Sequence, residues 1–182
     1  MIGSRPVGGV NVREQVGERA AVPVLCTVAA AAIGVATWRL IDRDPHVAGW
    51  AALVAGGCLV AAGAVLRAED RRARVVLSFA DRAFDGCILA ALAWATRSTD
   101  ASVAAAAIVA LAAGYLASYI RAKGGSLGYG IEEGVVTPVL RYGLLSLALI
   151  LGWTSWAIWT IAWLMLLVAA VRASQVAKEE RA

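Results

Sequence analysis

Long apolar runs alternate with short charged segments along the whole chain. The runs lie at about 20–41, 47–66, 75–96 and 101–120, in a fifth stretch that starts at 138, and in a last one that ends near 173. Most are close to the roughly 20 residues that an α-helix needs to cross a bilayer. The pattern therefore predicts an all-α, polytopic membrane protein with six transmembrane helices.

The composition supports one membrane domain. Apolar residues make up 60% of the 182 residues, and the mean hydropathy is +0.72, well above what a soluble domain shows. We expect a membrane domain at 20–173, an N-terminal segment at 1–19 and a tail at 174–182. The first run follows a charged segment without a cleavage pattern, so we interpret it as a retained helix. The net charge of +4 indicates no nucleic-acid partner.

The basic residues predict the orientation. The chain has 17 lysine and arginine residues. In a six-helix topology, only Arg39, Arg43 and Arg97 fall on the side opposite the termini. The other 14 fall on the side of both termini, which is cytoplasmic by the positive-inside rule. Tryptophan is concentrated near the opposite interface, with Trp163 alone placed deeper: Trp38, Trp50, Trp94, Trp153, Trp156 and Trp159. We expect a multi-pass protein of the cell (inner) membrane with cytoplasmic termini and its polar chemistry on the cytoplasmic side.

The third apolar run carries charges. Asp81 and Asp85 are four residues apart, and therefore share one helical face with Arg74 and Ser78. A charge at this depth costs on the order of 3 kcal/mol, so it normally faces water or a partner. We favour a functional site in a hydrated cavity among helices 2, 3 and 4, with Arg82 off this face. The alternative is an internal ion pair between Arg82 and Asp85.

Two short segments resemble a known family. They are the run Ala80-Asp-Arg-Ala-Phe-Asp-Gly86 and the run Ser118-Tyr-Ile-Arg-Ala-Lys123. Together with six helices and a Gly-rich 121–137 loop, they resemble the CDP-alcohol phosphatidyltransferases, nearest to the actinobacterial inositol-phosphate and glycerol-phosphate branch. In that family four aspartates hold divalent metals on the diphosphate of a CDP-lipid. The last of them also acts as a base.

The resemblance implies a set of site residues. Asp81 and Asp85 would be metal ligands for Mg²⁺ or Mn²⁺. Arg121, Lys123 and Arg141 would bind a substrate phosphate at the mouth of the cavity, or would instead be snorkelling anchors at the membrane surface. The partners implied are membrane lipids and a CDP-lipid. Family members are often dimers, which makes a homodimer one implied assembly.

The metal motif is incomplete. Depending on the register, its first two aspartates fall on Val60 and Gly63 or on Gly56 and Leu59 of helix 2. Two carboxylates bind a hard cation weakly, and the pair Glu132-Glu133 would add ligands only if its loop folded inward. We therefore expect weak or no catalysis, and no catalytic residue is assigned. The alternatives are a non-catalytic lipid-binding or complex-forming protein and, less favoured, a small transporter.

Overall fold

Six α-helices make up almost all of the described chain. The computed structural model describes residues 12–65, 71–130 and 138–179, with side chains at 21–65, 74–130 and 138–178. No strand occurs in these ranges. The helices are α1 (Val12–Ile41), α2 (Pro45–Val65), α3 (Arg71–Thr96), α4 (Ala101–Ser126), α5 (Pro138–Leu151) and α6 (Thr154–Glu179).

Four helices are long and apolar enough to cross a membrane, namely α1, α2, α4 and α6. Helix α5 is apolar but has only 14 residues, and α3 carries Asp81, Arg82 and Asp85 in its middle. The all-helical fold and these four apolar helices fit a membrane protein. The count of six transmembrane helices and the side on which the termini lie stay predictions.

Short polar turns end the helices at the tryptophan-rich end of the bundle. Arg43 has a φ of 62°, which stops α1, and the Asp44 carboxylate then accepts a bond of 3.2 Å from the amide of Val47. Asp100 caps α4 in the same way, at 3.1 Å from the amide of Val103. Aspartate suits these positions because its carboxylate satisfies a backbone N–H that has no partner within the helix.

Two predicted helix ends were wrong, those of α4 and α6. Helix α1 begins at Val12, and its apolar part, Ala21–Ile41, agrees with the predicted run at 20–41. Helix α4 continues to Ser126, so Arg121 and Lys123 lie on a helix and not in a loop. It stops there because Gly128, with a φ of 88°, adopts the left-handed conformation that ends helices. Helix α6 extends past 173 to Glu179.

Small residues let the helices pack closely. Helix α1 packs on α2 and α3, α2 on α5, and α4 on α3 and α6. A Cβ atom built on Gly49 would lie 2.9 Å from the Ser146 carbonyl oxygen, and one on Gly56 would lie 2.7 Å from the Cβ of Tyr142. Two glycines seven residues apart therefore bring α5 against α2, as small residues commonly do between membrane helices.

Candidate functional site

Asp81 and Asp85 of α3 both face the interior of the bundle. Asp85 is 4% exposed, and Asp81 is partly buried. Their four-residue spacing places them one turn apart on the same face of the helix. This confirms that neither carboxylate faces outward.

The first partner of both carboxylates comes from α5. The Arg141 Nη2 atom donates a hydrogen bond of 2.7 Å to Oδ1 of Asp81. Its Nε lies 2.9 Å from Oδ1 of Asp85, close enough for an ion pair, although no aligned hydrogen bond joins these two atoms. One guanidinium thus joins both carboxylates of α3 to α5.

Tyr142 adds a second bond from α5. Its hydroxyl donates to Oδ1 of Asp81, and its ring lies 4.4 Å, centroid to centroid, from that of Phe84. The tyrosine is buried, so a hydroxyl without a partner would be costly here. Asp81 supplies that partner.

The second cation is Arg82, on α3 itself. Its guanidinium pairs with Asp81 and lies 3.4 Å from Oδ2 of Asp85. It also donates a bond of 3.2 Å to the Gly114 carbonyl oxygen of α4. The Arg82–Asp85 ion pair, the alternative that we weighed from the sequence, is therefore present. Through its bond to Gly114, Arg82 also contacts α4.

Asp81, Arg82, Asp85, Arg141 and Tyr142 form what we call the charge network. Two carboxylates and two guanidinium groups give it a formal charge of zero. It connects α3 to α5 and α4, whereas we had expected a cavity among helices 2, 3 and 4. A neutral, mutually bonded set of charges suits a low-dielectric interior far better than an unpaired charge does.

Glycines of three helices lie beside the network, and Gly56 is the one most closely approached by a network side chain. The Tyr142 side chain packs on Gly56 of α2, and the nearest atom to a Cβ built on Gly114 of α4 would be Nη1 of Arg82, at 3.9 Å. On α3, a Cβ at Gly86 would lie 2.9 Å from the Tyr115 hydroxyl, which donates a bond of 3.2 Å to the Arg82 carbonyl oxygen. The surrounding backbone thus accommodates these side chains closely.

The network lies near the middle of the bundle. Asp85 is eleven residues before the end of α3, and Arg141 is ten residues before the end of α5. At about 1.5 Å per residue, both therefore lie about 15–17 Å from those helix ends. This is roughly half of the ~30 Å thickness of the hydrocarbon core.

The donor set is a poor fit for a divalent cation. Mg²⁺ and Mn²⁺ need several oxygen ligands, and the carboxylates of Asp81 and Asp85 already bind two guanidinium groups. The described residues contain no group of three or more side chains suited to hold a metal. Glu132 and Glu133, which the sequence analysis considered as additional ligands, lie outside the described residues. A metal at Asp81 and Asp85 would have to displace Arg82 and Arg141.

The three basic residues expected to bind phosphate lie in two places. Arg141 is buried in the charge network, so its expected position at a cavity mouth was wrong. Arg121 and Lys123 are exposed near the end of α4. They follow Gly114 by seven and nine residues, which places them about 10–14 Å further along the helix axis. The three do not form one phosphate site in the described structure.

Sequence reasoning missed Tyr142 and the contact of Arg82 with α4. One signal was present, since Arg141 and Tyr142 are adjacent polar residues in a mostly apolar helix. A charged residue within a membrane helix normally pairs with an opposite charge, and α3 carries two carboxylates.

Models of known protein families give no match to the chain, and no curated protein is significantly similar to it.

Proposed function

We propose that the chain is an integral membrane protein of the CDP-alcohol phosphatidyltransferase fold that does not carry out metal-dependent head-group transfer. Its role in this proposal is non-catalytic, as a lipid-binding or complex-forming membrane protein. The observation that carries the proposal is the pairing of Asp81 and Asp85 with Arg82 and Arg141. In the related enzymes, carboxylates at this place would bind metals.

Transfer from a CDP-lipid requires cations that stabilise the charge developing on the leaving CMP. Such stabilisation contributes several kcal/mol to the rate. Here the charge of each carboxylate is already offset by a guanidinium. Any metal would have to break those ion pairs before binding, so its affinity is reduced.

The family-like features support the fold part of the proposal. Six helices, the Ala80–Gly86 run and the basic end of α4 occur in the order that the family shows. The positions of its first two aspartates fall on apolar or glycine residues of α2, and the Gly56 position packs against Tyr142. In one of the two registers, a motif position on α2 is therefore in contact with a side chain of α5.

A CMP-release assay tests the proposal. Purified protein is incubated with CDP-diacylglycerol, Mg²⁺ or Mn²⁺, and inositol phosphate or glycerol phosphate. We expect release no faster than that of the Asp81→Asn/Asp85→Asn double variant. Metal-dependent release that this double variant abolishes would overturn the proposal, and would mean that other carboxylates complete a metal site.

A further inference from the structure

Helix α5 is much shorter than α3, although the two end at the same level. Arg141 and Asp85 are in contact and are ten and eleven residues from their helix ends. On the N-terminal side of this contact, α5 has only three residues, whereas α3 has fourteen, from Arg71 to Phe84. At about 1.5 Å per residue, α3 extends roughly 16 Å beyond the first residue of α5. Among the described residues, this half of α3 therefore extends past the start of α5.

This half of α3 combines exposed apolar side chains with a cation. Val75 is 69% exposed and Phe79 is 74% exposed, and they lie one turn apart. Arg74 and Ser78, also exposed, form the adjacent row. Arg74 has no ion-pair partner among the described residues.

The depth of Arg74 matches that of lipid phosphates. It is 22 residues before Thr96, which places it about 33 Å from that end of α3. The hydrocarbon core is about 30 Å thick. In the proposed orientation, the Arg74 guanidinium therefore lies where the phosphates of the cytoplasmic leaflet lie, and Phe79 lies beside the acyl chains.

We propose that Arg74, with Ser78, Val75 and Phe79, binds an anionic phospholipid of the cytoplasmic leaflet. The guanidinium pairs with the lipid phosphate, and the valine and phenylalanine contact its acyl chains. An anionic lipid is favoured over a zwitterionic one, because the ammonium of a zwitterionic head group would partly offset the attraction. A free phosphate lacks the acyl chains that this apolar surface contacts. The inference rests on the proposed function in one respect, because it names the lipid class that a lipid-binding role would involve.

Native mass spectrometry of the full-length protein tests the site. The protein is released from micelles containing equal amounts of phosphatidylglycerol and phosphatidylcholine, and the retained lipids are counted. We expect wild type to retain phosphatidylglycerol preferentially. We expect Arg74→Gln to lower this preference about fivefold, the change that one arginine near a membrane surface typically produces, and Arg74→Lys to keep most of it.

Lys178→Gln is the matched control, since Lys178 is an exposed cation at the end of α6. It should lower the preference by less than Arg74→Gln does. The proposal would be overturned if Arg74→Gln and Lys178→Gln lowered the preference for phosphatidylglycerol equally. It would also be overturned if wild type showed no such preference. All measurements are made with EDTA and without any CDP-lipid. A failure here is thus distinct from a failure of the proposed function, which is measured by CMP release.

Discussion

Replacing Arg141 with methionine should destabilise the protein strongly. The side chain is buried and pairs with both Asp81 and Asp85. Its removal leaves two carboxylates with one guanidinium, that of Arg82, so the charge network changes from neutral to a net charge of −1. The uncompensated charge lies near the middle of the bundle.

Three magnitudes bear on the size of the effect. Breaking a buried ion pair by removing one partner costs about 3–5 kcal/mol. A carboxylate at the centre of a membrane helix costs about 3 kcal/mol on insertion scales. Polar contacts between membrane helices are sometimes much weaker, about 0.6 kcal/mol on average, because the unfolded state in the membrane also finds partners. We expect a loss of about 3 kcal/mol for Arg141→Met, because a net charge is left behind.

A double variant separates charge from packing. In Asp85→Leu/Arg141→Met, one carboxylate and one guanidinium remain, so the network is neutral again. The double variant should recover most of the loss, since apolar residues often replace a buried ion pair at little cost.

The assay is unfolding of the purified protein in mixed micelles by titration with SDS, followed by tryptophan fluorescence. Lys123→Met removes an exposed cation and should change the free energy of unfolding by less than about 0.5 kcal/mol. If Arg141→Met costs no more than Lys123→Met, or if the double variant is less stable than Arg141→Met, the reasoning is refuted.

Three further predictions follow from packing and topology. Gly56→Ala should lower the free energy of unfolding by about 1–3 kcal/mol, because its Cβ would overlap Tyr142. Gly57→Ala has open space around its Cβ and should be nearly neutral in the same unfolding assay. Tyr142→Phe should cost about 1 kcal/mol by removing the bond to Asp81; stability equal to wild type would show that this bond contributes nothing. In intact cells, impermeant thiol reagents should label cysteines at outer positions and not at cytoplasmic ones, and labelling of Ser126→Cys would refute the topology. The positions are Ser98 and Ser155 outside, and Ser4, Ser126 and Ser174 inside.

The helices were predictable because their signals are local. The apolar runs that form these helices are each visible in about 20 consecutive residues of the sequence. The end of α4 was misplaced, because Gly124 and Gly125 suggest a loop. The helix continues through both and stops where Gly128 adopts a positive φ. A glycine in the sequence indicates a position where a helix can end. Which of several glycines ends the helix depends on which one adopts a positive φ.

The charge network was only half predictable. The spacing of Asp81 and Asp85 places them on one inward face, and this local inference is confirmed. Their partners on α5 are about 60 residues away in sequence and depend on how α5 packs against α2. That packing is set by Gly49 and Gly56, whose role is visible only once the helices are placed together. The composition of one helix does not specify which face meets its neighbour.

The central claim is that Asp81 and Asp85 are neutralised by arginine and closed to divalent metals. Titration of the purified protein with Mn²⁺, followed by the electron paramagnetic resonance signal of the free ion, tests this most directly. We predict the same free Mn²⁺ signal for wild type and for Asp81→Asn/Asp85→Asn at every concentration. A stoichiometric Mn²⁺ site in wild type that is lost in the double variant would contradict the account.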